Sequence, residues 1–164
     1  MKKWQICLAA LMLAGCGTPK SFETMSDQYV IPQQPEAAQV SIWLPEEAAV
    51  LTMENADTGS QYLCDGYAVA VQTMAAGDLD STLRSITGYG ADALQIYALQ
   101  SGECKRYECV WACAGEGGDQ VGKAVILDDG TYHYTVTVLA PAANAGAQAE
   151  VWQQILGSVA LKQR

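Results

Sequence analysis

Six cysteines and one histidine are the residues of this 164-residue chain best suited to chemistry. A hydroxyl or thiol nucleophile needs a base to activate it, and His133 is the only imidazole present. It lies in Tyr132-His133-Tyr134-Thr135-Val136-Thr137-Val138. In a strand, alternation sends Tyr132, Tyr134, Val136 and Val138 to one face and His133, Thr135 and Thr137 to the more polar one. No G-x-S-x-G elbow is present. His133 is therefore expected as a surface or half-covered sheet residue. A hydrolase pairing His133 with a neighbouring Ser, Thr or Asp is the alternative. The glycine-rich run Ala114-Gly115-Glu116-Gly117-Gly118-Asp119-Gln120 lacks the Lys-Ser/Thr of a phosphate cradle and opens a strand, so a hairpin loop is expected. Asp128 and Asp129 suggest paired carboxylates, but adjacent residues in a tight Asp-Gly turn point apart.

The N-terminus carries the most specific signal. Lys2 and Lys3 precede an apolar run from Ile6 to Ala14. That run is far short of the roughly 20 residues needed to cross a bilayer, and it matches the apolar segment of a secretory signal. It ends in Leu13-Ala14-Gly15-Cys16, which resembles the lipobox of bacterial lipoproteins. The resemblance implies removal of residues 1–15, a lipid on Cys16, and a domain tethered to the membrane outside the cytoplasm. Two acyl chains suffice for stable anchoring. Loss of Lys2 and Lys3 leaves seven basic against 18 acidic residues and moves the formal charge from −9 to −11. Such an acidic chain is unsuited to nucleic acid, whose phosphates demand Lys and Arg.

Four cysteines then remain: Cys64, Cys104, Cys109 and Cys113. An extracytoplasmic address makes disulfides admissible. Cys109 and Cys113 on one extended strand stand about 13 Å apart at roughly 3.3 Å per residue, whereas a disulfide needs Cα atoms within about 7 Å. At most one bond is expected, from Cys64 to that strand. Cys109 is the preferred partner because it sits mid-strand on the apolar face that it shares with Tyr107, Trp111 and Cys113; Cys104 and Cys113 are alternatives. Four reduced thiols packed as small hydrophobes fit as well. A redox or metal role is a third option, weakened by the absence of a C-x2-C frame and of a second histidine. No cofactor is implied.

The elements that must position these residues follow from periodicity. Residues 16–39 read as a lipidated N-terminus and proline-marked linker, and residues 40–164 as a single domain. Strands are expected at Ser41–Leu44, Ala49–Met53 and Gln61–Met74, the last covered on both faces. Asp78 to Gly88 carries a cap, the apolar stripe Leu79, Leu83 and Ile86, and a glycine stop, and so predicts a helix. Strands near 94–99, 104–114, 120–127 and 131–139 form an antiparallel meander. A helix over 145–156 buries Val151, Trp152, Ile155 and the following Val159, and Ser158–Leu161 closes the chain.

This order, with its "SIWLP" opener, "YAVAVQT" strand, "GDLDSTLRSITG" helix, "CVW" and "YHYTVTV" strands and "ILGSVAL" close, resembles the Mog1/PsbP-like fold across residues 40–162. The resemblance implies an α+β fold: an antiparallel sheet of about six to seven strands sandwiched by helices. It also implies a binding or assembly factor of the cell envelope without catalytic residues, with an unknown protein or envelope component as partner.

Overall fold

The computed structural model describes residues 35–51, 59–115 and 117–162. Cys16, with the signal and most of the expected linker, lies outside the described residues. The elements run β1 (Gln39–Ser41), β2 (Ala49–Leu51), β3 (Gly59–Cys64), β4 (Tyr67–Ala75), α1 (Leu79–Thr87), β5 (Gln95–Ser101), β6 (Cys104–Gly115), β7 (Gly118–Asp128), β8 (Tyr132–Pro141), α2 (Ala142–Ala145), α3 (Ala149–Gly157) and β9 (Ala160–Lys162). Seven strands form one antiparallel sheet in the order β2-β3-β4-β8-β7-β6-β5, while β1 pairs with β9. The fold class is α+β, with helices on both faces of the sheet.

Turn chemistry explains the meander. Gly102, Gly118 and Gly130 take positive φ of 64°, 115° and 86° at its three turns, a region closed to most side chains. Asp128 Oδ1 accepts from the Gly130 amide at 2.8 Å, and Asp129 Oδ1 accepts from the Thr131 and Tyr132 amides. The single long strand expected over Gln61–Met74 is instead the β3–β4 hairpin. Asp65-Gly66 makes its two-residue turn, with Gly66 at φ 79°. An Asp-Gly pair between apolar runs signals a hairpin, and here the flanking apolar residues masked it.

Helix α1 begins where Asp78 accepts from the Ser81 amide at 2.8 Å and ends at Gly88, φ 80°. The C-terminal helix starts at Ala149 rather than Ala145, and α2 is a separate turn. Gly146 lies between them, and glycine within a helix costs about 1 kcal/mol relative to alanine. Two cores result. On one face Tyr67, Val69, Val125, Tyr134, Val136 and Val138 pack under Trp152, Ile155 and Leu156 of α3. On the other, Cys109, Trp111, Ala124 and Ile126 pack under Leu83 of α1. Gly122 belongs to that second packing: a Cβ there would run into the Trp111 ring.

Residues 35–39, placed in the linker by the sequence, are tied to β8. Tyr132 donates its hydroxyl to the Pro35 carbonyl at 2.9 Å, and the Ala38 amide donates to the Tyr134 hydroxyl at 2.9 Å.

Candidate functional site

His133 is not a surface residue. It is 2% exposed, roofed by α1, with Nδ1 2.7 Å from the Thr82 hydroxyl and Nε2 3.8 Å from Asp128 Oδ1. The polar face of β8 proved to be the face that α1 covers. A clue lay in the helix itself: Thr82 is three residues after Leu79 and four before Ile86, on the buried stripe. Threonine, histidine and aspartate in this order resemble a nucleophile, its base and an orienting acid. Thr82 is only 4% exposed, however, which shuts a substrate out. The 3.8 Å separation from Asp128 also exceeds a hydrogen bond. The geometry is that of a latch docking α1 onto the sheet.

The cysteines are dispersed. Tyr107, Cys109, Trp111 and Cys113 share the α1-side core as alternation requires, but Cys64 belongs to the α3-side core. Strands β4, β8 and β7 separate β3 from β6, roughly 19 Å at about 4.8 Å per strand. The expected Cys64–Cys109 bond is therefore absent from this fold, and all four thiols are free. Neither alternative brings Cys64 a partner: Cys113 shares the face of Cys109, and Cys104 opens β6 at the end remote from Cys64. Burial pushes the Cys109 thiol up to about 11 and raises Cys64 against a lowering interaction with the Tyr67 hydroxyl. Among the described residues no group of three or more His, Cys, Asp or Glu side chains stands close enough to hold a metal ion.

A cleft of about 560 Å³ on the α3 side has no signature in the sequence. Leu127 of β7, Ala38, Val159, Ala160 and Leu161 line it with apolar surface, and Glu103, Cys104 and Asp129 add its polar groups. These residues come from four separate parts of the chain, so no local motif announces the cleft. Its rim is fixed in advance. Tyr134, wholly buried, donates its hydroxyl to Asp129 Oδ2 at 2.8 Å while accepting from Ala38. Burial would raise the Asp129 carboxyl, but hydrogen bonds from Tyr132, Thr131 and Tyr134 outweigh it and hold the group below its ordinary value. Tyr134 itself is pushed up to about 12, first by burial and then by Asp129. Burial raises Cys104, and the carboxylates of Asp129, Asp128 and Glu103 raise it further. At neutral pH the polar side of the cleft is thus anionic and its floor apolar. Such a site suits a cationic head on an apolar stem, as in a lysine or arginine side chain. A second cleft, of about 550 Å³ and more open, lies between residues 37–42 and the β3–β4 hairpin.

No protein-family model matches the sequence, and no curated protein matches it significantly. Solved structures do match in three dimensions. Cyanobacterial PsbP from Synechocystis superposes with a TM-score of 0.54 at 8% identity, covering 77% of this chain and 95% of its own. The Ran-binding protein Mog1p of Saccharomyces cerevisiae gives 0.50 at 12% identity, covering 74% of this chain and 89% of its own. A Bacteroides thetaiotaomicron protein gives 0.51 at 10% identity over 76% of this chain. This chain spans 46% of that protein's length. At such identities the likeness concerns architecture alone. The chain has the Mog1/PsbP-like fold, an antiparallel sheet enclosed between helices.

Proposed function

We propose that this protein is a non-catalytic binding module of the cell envelope. It is held at the outer side of a membrane by a lipid on Cys16 and grips a protein partner through the cleft bounded by Leu127, Asp129 and Leu161. The cleft carries the reading: it joins an apolar floor to a prearranged anionic rim, whereas the Thr82–His133 pair, which resembles a nucleophile and its base, is sealed beneath α1. The fold is compatible with such a role, since the yeast neighbour is a Ran-binding protein. Among the described residues no helix is long and apolar enough to cross a membrane, so attachment rests on the lipobox. Residues 1–15 are the signal, the segment from Cys16 carries the lipid and the tether, and the domain begins at Pro35, whose carbonyl accepts from the Tyr132 hydroxyl.

Growth of producing cells on alkyne-tagged palmitate, followed by fractionation, tests the tether. The unaltered chain should take up label and sediment with membranes, and Cys16→Ala should lose both properties. Unlabelled protein in the cytosolic fraction would overturn the reading.

A further inference from the structure

The outer edge of the sheet at β5 is made for pairing. Its residues, Gln95-Ile96-Tyr97-Ala98-Leu99-Gln100-Ser101, include no charge and no proline, the two usual devices that protect an edge strand. Among the described residues no strand lies along its free side. The other edge, β2, is only three residues long. Tyr97 and Leu99 are 58% and 56% exposed, and Val110 on β6 is 53% exposed on the same face. Helix α3 covers that face only as far as Arg106, which donates through Nη2 to the Leu156 carbonyl at 2.8 Å. An apolar strip beyond Arg106 is left without a helix.

The geometry points to a second copy of this chain as the occupant, joined β5 to β5 in antiparallel fashion about a two-fold axis. Only one register pairs all seven residues: Ala98 on the axis, Tyr97 opposite Leu99 of the other copy, and Gln95 opposite Ser101. That register keeps Tyr97 and Leu99 on one continuous face, because alternation is preserved across the joint. Charge then fits. Within one chain Tyr97 lies beside Glu108 and Leu99 beside Arg106. Arg106 and Glu108 are ion-paired with each other within each chain at 2.8 Å, so neither brings an uncompensated charge to the joint. No charge lies in the joint itself, although the chain is strongly acidic. Glu103 and Asp92, both exposed, approach at the rim, where salt screens them. A joint of two short strands falls at the small end of specific interfaces, below about 1,200 Å², so it should dissociate on dilution.

The test uses the full chain in density-matched detergent. Sedimentation equilibrium should show a monomer–dimer exchange. The double variant Tyr97→Lys/Leu99→Lys, altering two exposed side chains, should weaken it at least about tenfold with an unchanged circular dichroism spectrum. Independently, Ala98→Cys should oxidise to a covalent dimer, since directly opposed residues stand about 4.5–5.5 Å apart, while Val50→Cys on the β2 edge should not. A chain monomeric at every concentration would overturn the proposal. So would a dimer indifferent to the lysines, or equal cross-linking through Val50→Cys. If the double variant fails to fold, the Ala98→Cys and Val50→Cys comparison alone decides.

Discussion

Under α3, the sheet meets Trp152, Ile155 and Leu156 with Tyr67, Val69, Val136 and Val138, and the Tyr67 and Trp152 rings touch edge to face at 6.4 Å. Under α1, the opposite face meets Leu83 with Cys109, Trp111 and Ile126, but a threonine–histidine hydrogen bond is set among them. The α3 side is closed by apolar contact over its middle and leaves open surface in two places: the cleft near Asp129 and the strip at Tyr97. The α1 side closes with a polar latch and keeps its histidine from solvent. The Thr82–His133 pair thus sits sealed on the α1 side, while the accessible cleft on the α3 side combines an apolar floor with Asp129 and Glu103. Placement rather than residue type separates the structural polar groups from those available to a partner.

Truncation on the α3 side should have the largest effect. Ile155→Ala removes a fully buried side chain and should destabilise the domain by about 2–5 kcal/mol, read from urea unfolding. On the α1 side Gly122→Ala drives a methyl group into the Trp111 ring and should cost about 1–3 kcal/mol. Pairing it with Trp111→Leu should recover part of that loss, and a double-mutant cycle measures the coupling. Thr82→Val keeps the shape but removes the partner of His133, for an expected loss of about 1–2 kcal/mol. Thr82→Ser should lose less.

Acid should report on the cleft. The Asp129 carboxyl is held below its ordinary value in the folded chain. Its contribution is therefore present above the unfolded pKa of about 4 and lost as pH falls through the folded value. Asp129→Asn should flatten the part of the stability profile that falls away below the unfolded carboxyl pKa of about 4. The smallest effect concerns reactivity. Cys109, buried and pushed up to about 11, should be the slowest of the four thiols to alkylate in the native chain, with mass spectrometry reporting the order.

Much of the scaffold was legible in the residues. Asp78 and Gly88 bracket α1, and the turn glycines 102, 118 and 130 delimit the meander, because caps and turns are local chemistry. Alternation placed Tyr107, Cys109, Trp111 and Cys113 together for the same reason. Long-range placement was not legible. The burial of His133 depends on which face α1 chooses, and the separation of Cys64 from Cys109 depends on strand order. The cleft depends on β9 returning beside β1, some 120 residues after it in the chain. None of these has a signature within one window of sequence.

Cross-linking in living cells from the cleft tests the central claim most directly. A photoreactive residue replacing Ala160, exposed and on the cleft wall, should give a discrete adduct with a protein partner. Glu103→Lys, which reverses a rim charge, should abolish that adduct, and Thr82→Val, which breaks the latch, should leave it intact wherever the domain still folds. An adduct indifferent to Glu103→Lys yet lost in a folded Thr82→Val chain would contradict the account and return attention to the pair beneath α1.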